Sequence, residues 1–148
     1  MPSATTPDGV GLVEVYDLSP LDDSRLANIS SRGVVGVGED QLISCFIGDV
    51  ASATVVVRTI GPSLPPGNVS QPLRDPALTV YDSNGVVIGS NGNWQDDLNA
   101  DGVAANGLAP ANAAESATLL DLPAGSYTTA VSGVDHGGGV GLVEAYNL

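Results

Sequence analysis

The chain has 148 residues, enough for one compact domain, and 43% of them are apolar, which excludes a disordered acidic tail. The chain has seventeen acidic residues, four arginines and no lysine, so the net charge is −13. This balance excludes nucleic-acid binding, which needs basic residues to neutralise phosphates, and docking on anionic membranes. The sequence has no apolar stretch of membrane-spanning length, so we expect no membrane insertion.

In chain order, residues 1–8 are predicted to be a polar lead-in and residues 9–18 a β-strand. The segments that follow are rich in Val, Ile and Thr and are separated by Gly, Pro and Asn-Gly turns, which is typical of short strands. Further strands are predicted at residues 26–30, 33–37, 41–48, 53–60, 77–81, 86–89, 116–121 and 126–134, with a last strand that follows residues 137–139.

Turn signals predict how some of these strands are joined. Residues 41–48 and 53–60 are predicted to form a hairpin, and Asn84-Gly85 predicts another hairpin further along. Residues 102–107 are the one candidate for a helical turn. About nine to ten short strands with regular turns predict an all-β fold: a single antiparallel β-sandwich over residues 19–148, with at most one short helical turn.

The two ends of the chain carry almost the same sequence. Residues 9–18 read GVGLVEVYDL and residues 139–148 read GVGLVEAYNL. One domain has a single place for such a strand, so the two copies compete for it. Two interpretations stay open. The first copy is either the final strand of a preceding unit in a tandem array, or a donor strand that enters a neighbouring molecule by β-strand addition.

The duplicated strand is apolar on both faces, whereas an exposed edge strand usually has one polar face. We therefore expect a neighbour to cover it, and head-to-tail addition of such a strand builds open filaments unless a ring closes. The predicted self-association residues are Val10, Leu12, Val13, Val15, Tyr16 and Leu18 in the first copy and Leu142, Val143, Tyr146 and Leu148 in the second.

Several blocks have a familiar form. Residues 58–64 read RTIGPSL, residues 75–82 read DPALTVYD and residues 93–96 read NWQD. With the GLVE segment of the last strand, they resemble a β-rich module that recurs, often in tandem, in large secreted bacterial surface proteins. Residues 122–134 also resemble the closing strands of pre-peptidase C-terminal domains. The first resemblance implies an extracellular or cell-surface location and supplies no catalytic residues.

The chemistry-bearing residues do not predict an enzyme. The only histidine, His136, lies in a glycine-rich turn, which is a poor platform for a catalytic base. One His and one Cys exclude a conventional zinc site. Cys45 lies in an apolar run and is predicted to be a buried small hydrophobe.

Two ligand sites are candidates. Asp97, Asn99 and Asp101 form the D-x-N-x-D-G opening of a calcium loop, which makes calcium the one cofactor suggested. Leu108 takes the twelfth position, where such a loop has Glu, so an Asx-rich turn is the alternative. Trp94, the only tryptophan, either stacks on a sugar ring or caps the core.

These observations give two hypotheses. The first is a structural self-associating subunit of an extracellular filament or cell-surface assembly, whose partners are copies of itself joined by addition of a terminal strand. The alternative is a calcium- or glycan-binding accessory module of a secreted multidomain protein.

Overall fold

The structure is a computed structural model that describes residues 12–16, 27–48, 51–67 and 69–148. Within them the chain forms eight strands, one short α-helix and two 3-10 turns. The elements are β1 (Asn28–Val35), β2 (Leu42–Gly48), β3 (Ala53–Ile60), β4 (Pro76–Tyr81), β5 (Val87–Asn91), a 3-10 turn (Trp94–Asp96), α1 (Ala100–Ala105), β6 (Ser116–Leu122), β7 (Gly125–Gly133), a second 3-10 turn (Val134–His136) and β8 (Gly139–Asn147).

The strands form two antiparallel four-stranded sheets. The first sheet has the order β1-β8-β3-β6 and the second the order β2-β7-β4-β5. The predicted all-β sandwich is therefore confirmed. The predicted strands at 26–30 and 33–37 are one strand, because Ser31 and Arg32 continue the β1 ladder opposite Val143 and Leu142 instead of turning. This merger is one reason why the described residues hold fewer strands than expected.

The predicted hairpin between β2 and β3 is wrong. β2 pairs with β7 in the second sheet, whereas β3 pairs with β6 and β8 in the first. Sequence neighbours in a sandwich often cross from one sheet to the other, because each sheet offers an apolar inner face. The hairpin at Asn84-Gly85 is confirmed: β4 pairs with β5, and Gly85 has the positive φ of +77° that such a turn requires.

Apolar side chains from both sheets form the main core. Val57 and Val143 of the first sheet and Val80 and Val131 of the second are at most 1% exposed. This burial follows from the alternation of side chains along each strand, since every second residue faces the opposite sheet.

A second, smaller core lies on the other face of the first sheet. Val56 of β3 and Ala117 of β6 pack there with Val103 of α1, and all three are fully buried. The helix was predicted at residues 102–107 and forms two residues earlier. It covers a sheet face that would otherwise meet solvent.

Cys45 is exposed, so its predicted burial is wrong. β2 is an edge strand of the second sheet, and its alternation places Phe46 towards the core and Ile43, Cys45 and Ile47 outwards. The Cys45 Sγ lies 3.6 Å from the Thr128 Oγ1 on β7. The apolar run therefore includes an outward face that composition alone does not distinguish from the core.

Candidate functional site

The second copy of the repeated sequence forms β8, an interior strand of the first sheet. β8 pairs along one edge with β1 and along the other with β3, so that Glu144 lies opposite both Ser30 and Arg58. We call this position between β1 and β3 the β8 slot. A strand held on both edges contributes its whole backbone hydrogen-bonding capacity to the sheet, so the slot is central to the fold.

The two faces of β8 have different neighbours. Val143 faces the main core and is 1% exposed, with Ala145 packed against the same cluster. Tyr146 faces outwards and packs against the second core, which includes Val56 and Val103. Thus the second core of the same molecule covers part of the outer face of β8, and the apolar character of both faces is partly accounted for within one subunit.

Arg58 of β3 recognises the outer face of β8. Its Nε donates to the Glu144 Oε2 at 2.7 Å, and its Nη2 donates to the Tyr146 hydroxyl at 3.0 Å. Its Nη1 donates to the Leu108 carbonyl oxygen at 2.9 Å, and the guanidinium lies 5.0 Å from the centroid of the Tyr146 ring. One cation thus holds two alternate residues of β8, which fixes the register of the strand chemically as well as by packing.

The Tyr146 hydroxyl also donates to the Glu144 Oε1 at 3.0 Å, which closes a three-residue network with Arg58. Burial raises the pKa of Tyr146, the hydrogen bond to Glu144 raises it further, and the charge of Arg58 opposes both. Glu144 and Arg58 are only 12% and 19% exposed in their side chains. The network is therefore sheltered enough for its charge-assisted hydrogen bonds to contribute to stability.

The first copy has a different environment. Residues 12–16 belong to no strand, and Leu12 and Val13 are 82% and 90% exposed. Val15 and Tyr16 are exposed as well, whereas Val10 and Leu18 lie outside the described residues. The Tyr16 hydroxyl donates to the Glu14 Oε1 at 2.9 Å, which repeats the pairing of Tyr146 with Glu144.

Sequence reasoning missed the role of Glu115, which is fully buried. Its Oε1 accepts the backbone N–H groups of Gly61 and Ser63 at 3.0 and 2.8 Å. Its Oε2 accepts the Ser63 hydroxyl at 2.8 Å and the Asn112 backbone N–H at 3.2 Å. The carboxylate therefore fixes the loop that carries the GPSL motif, and the motif is structural in this setting.

That loop borders a shallow groove on the outer face of the first sheet. The groove has a volume of about 320 Å³ and is walled by Ile60, Leu64 and Pro110, with the Arg58–Glu144 ion pair beside them. Glycine is required at position 61, where the GPSL loop begins, because a Cβ there would lie 2.0 Å from the Leu73 carbonyl oxygen. The GPSL loop thus helps to shelter the Arg58 network.

The predicted calcium residues lie at the start of α1. The Asp97 Oδ1 accepts the Asn99 backbone N–H at 2.8 Å, which is an Asx turn, and the Asn99 Nδ2 donates to the Leu119 carbonyl oxygen at 3.0 Å. Asp101 is exposed in the first turn of the helix. In the part of the chain that the structure describes, no group of three or more His, Cys, Asp or Glu side chains could hold a metal ion. Calcium binding remains a prediction.

Trp94 and His136 also remain without an assigned ligand. Trp94 is half-buried against the second core, and its Nε1 is buried without a hydrogen-bond partner. His136 is exposed in the second 3-10 turn, with a φ of +60°. The Trp94 geometry fits a residue that caps the core, and the predicted sugar contact remains a prediction.

No protein-family model and no curated protein matches this chain. A solved structure is similar: the pre-peptidase C-terminal domain of a collagenase from Bacillus anthracis, with a TM-score of 0.50 and 11% identity over 80% of this chain and 88% of that one. The likeness confirms the predicted resemblance to such domains at the level of the fold. Among the described residues there is no helix long and apolar enough to cross a membrane.

Proposed function

We propose that this protein is a non-catalytic structural module of an extracellular or cell-surface assembly, and that it joins copies of itself by exchange of a terminal β-strand. One observation carries the proposal. The sequence that fills the interior β8 slot exists twice, and the described part of the spare copy, residues 12–16, is exposed and outside both sheets.

The exposed copy carries apolar side chains that suit a sheet interior. Val13 corresponds to Val143, which is 1% exposed in the slot, but is itself 90% exposed. Burial of a valine side chain stabilises by about 1.5–3 kcal/mol, so leaving this side chain in water forgoes a substantial gain. Entry into the slot of a second molecule buries Val13 and forms the same main-chain hydrogen bonds, but it exposes the Val143 of the strand that it displaces, so exchange is nearly neutral in buried area.

Exchange conserves the number of filled slots, because an incoming strand displaces a strand of nearly the same sequence. Association is therefore governed by protein concentration, and it is favoured where modules are crowded or tethered, as in a tandem array or a surface layer. The contact is heterologous, since a terminal strand of one molecule meets the interior of another. Such contacts extend head to tail into open polymers.

The non-catalytic and extracellular parts of the proposal rest on separate support. The fold resembles a domain of a collagenase whose name, the pre-peptidase C-terminal domain, distinguishes it from the peptidase itself. The motif blocks resemble those of secreted bacterial surface modules. A net charge of −13 with no lysine suits a soluble surface protein in a salt-rich medium.

A point substitution in the spare copy tests the proposal. The V13D variant places a charge on a residue that is exposed in the monomer but would be buried after exchange. We expect the parent chain to associate as its concentration approaches the millimolar range, and V13D to stay monomeric with an unchanged melting temperature. Sedimentation velocity and negative-stain electron microscopy give the readout.

The matched control is S3D, which adds the same charge outside the duplicated sequence. It should associate as the parent does. Strand exchange is wrong if V13D polymerises to the same extent as the parent, or if the parent remains monomeric over the whole concentration range.

A further inference from the structure

We infer that the free edge of β2 is a second association surface, where β2 of one molecule pairs antiparallel with β2 of a second copy. Among the described residues, β2 pairs with β7 alone, so one edge of the strand is open. Every second residue of β2 directs its N–H and C=O groups away from β7 at this edge. The contact goes beyond the proposed function, because it uses neither copy of the duplicated strand.

The other edge strands of the two sheets are protected against such pairing. On β6, the Ala117 N–H donates to the Asn91 Oδ1 at 3.0 Å. At the same edge, the Leu119 carbonyl oxygen accepts the Asn99 Nδ2 at 3.0 Å. β1 carries the exposed Arg32, and β5 has only five residues and a bulge in its pairing with β4. Charge, short length, bulges and covered backbone groups are the features by which edge strands avoid pairing.

β2 has none of these protective features. Its sequence, LISCFIG, has no charged residue and no proline. Its register with β7 is continuous from Leu42 to Gly48, without a bulge. Ile43 and Ile47 on its outward face are exposed. An uncharged, apolar and regular edge strand of this kind is a site at which two chains pair.

Charge favours a second copy of the chain as the partner. The net charge is −13, so most contacts between two copies bring acidic side chains together. The outward face of β2 and the part of β7 beside it are different. Their paired side chains are all of uncharged types, namely Ile43, Cys45, Ile47, Ala130, Thr128 and Ser126. Two copies can therefore meet along β2 without like-charge repulsion between the paired residues.

Antiparallel pairing of β2 with itself has one register that uses the whole strand. Cys45 is the central residue of the seven in β2, so a two-fold axis at this residue places it opposite itself. Ile43 then lies opposite Ile47 of the second copy, and Ile47 lies opposite Ile43. Cross-strand pairs of β-branched residues stabilise a sheet. In this register the second sheets of the two molecules join into one continuous sheet.

The contact is weak between free molecules. One edge strand from each copy buries less than the roughly 1,200–2,000 Å² of stable specific interfaces. It gains strength where copies are already held close together, since tethering raises the effective concentration to about millimolar. In the assembly of the proposed function, the β2 edges therefore link one polymer to its neighbours.

Disulfide capture in a V13D background tests the pairing without strand exchange. Cys45 is the only cysteine and is exposed, and in this register its Cα lies about 5 Å from that of Cys45 in the second copy. Under mild oxidation by diamide, we expect V13D to form covalent dimers about tenfold faster than V13D/C45S/I43C, because position 43 lies opposite Ile47. Each rate is divided by the rate at which the same thiol reacts with a small aromatic disulfide, which corrects for accessibility.

A mixture of two chains tests the register. V13D/C45S/I43C and V13D/C45S/I47C should each dimerise slowly alone and should form a mixed disulfide readily together. The inference is contradicted if the mixed disulfide forms no faster than the dimers of each chain alone. It is also contradicted if V13D and V13D/C45S/I43C dimerise at the same corrected rate. Neither result bears on strand exchange, which the V13D background removes.

A charge at the centre of β2 should prevent the capture. In the mixture, replacing C45S by C45E places two carboxylates opposite each other, and like charges directly opposite destabilise a sheet. We expect the mixed disulfide to form several-fold more slowly. The matched control keeps C45S and adds V87E, which puts the same charge on the exposed Val87 at the other edge of the same sheet. Equal slowing by C45E and V87E would overturn the inference, since net charge alone would then govern the reaction.

Discussion

The hydroxyl of Ser63 donates a hydrogen bond to the buried carboxylate of Glu115, with the Ser63 Oγ 2.8 Å from the Glu115 Oε2. This contact ties the loop after β3 to the residue that precedes β6, and the same carboxylate accepts three backbone N–H groups. We expect E115A to lower the free energy of unfolding by about 3 kcal/mol, because it leaves the buried Gly61 N–H and the part-buried donors of Ser63 and Asn112 without their acceptor. Urea unfolding measures the change.

The control for this prediction is E39A, which removes an exposed carboxylate and should change the free energy of unfolding by less than about 0.5 kcal/mol. Equal effects of E115A and E39A would show that the Glu115 network contributes nothing to stability.

Substitution of Arg58 should weaken the interactions that keep β8 in the first sheet. R58M removes hydrogen bonds to Glu144, Tyr146 and the Leu108 carbonyl oxygen, and we expect it to lower the free energy of unfolding by about 1–2 kcal/mol after allowance for partial exposure. R58K should not restore the loss, because an ammonium group does not reproduce the planar fork of donors.

The matched control for Arg58 is R32M on β1, where the arginine is exposed. Urea unfolding of the three variants under the same conditions gives the comparison. Complete rescue by R58K would mean that charge alone, and not the fork geometry, holds Glu144 and Tyr146.

Stability should fall at high pH through Tyr146. Burial and the hydrogen bond to Glu144 raise the pKa of Tyr146 in the folded state above the ordinary tyrosine value of 10.0. A folded-state pKa above the unfolded one means that the stabilisation is complete below the unfolded pKa and is lost as pH rises through the folded pKa. We expect Y146F to flatten this alkaline decline, as measured by urea unfolding at a series of pH values.

Y81F serves as the control for Tyr146, because it removes a phenol outside the Arg58 network. It should decline with pH as the parent does. If Y146F and the parent lose stability in parallel above the pKa of free tyrosine, Tyr146 does not contribute to the pH dependence.

The effect of calcium on the melting temperature distinguishes the structural-module hypothesis from the accessory-module hypothesis. The Asp97 Oδ1 already accepts the Asn99 backbone N–H at 2.8 Å, and an ion on that oxygen would have to compete with this bond. We therefore expect millimolar calcium to leave the melting temperature unchanged. A rise of several degrees that D101N abolishes would favour the calcium-binding alternative.

Local pattern predicted most strands of this fold, because alternation and turn residues are local properties. Apart from the β4–β5 hairpin, it did not predict which strands pair. The predicted β2–β3 hairpin is wrong because strand pairing depends on which of the two sheets each strand joins, and this is not a local property of the sequence. In the same way, Arg58 and Glu144 form a hydrogen bond although they are far apart in the sequence. Glu115 was missed for the same reason, since its partner Ser63 lies in a distant loop.

The duplicated strand was found because identity between two segments is visible without any structure. The sequence analysis placed the second copy within the sandwich over residues 19–148 and took the first copy as the spare strand. In the structure the second copy forms β8, with Tyr146 packed against the second core, and the described part of the first copy is exposed. The burial predicted for Cys45 is wrong because an apolar run in the sequence does not distinguish the outward face of an edge strand from a strand face in the core.

Interchain disulfide formation between two single-cysteine chains tests strand exchange most directly. In a C45S background, chains with V10C and chains with V34C are mixed near millimolar concentration under mild oxidation. We expect a mixed disulfide between the two chains, with far less when V10C is paired with the out-of-register S30C. If the V10C and V34C chains give no more mixed disulfide than the V10C and S30C chains, the first copy does not enter the β8 slot of a neighbouring molecule.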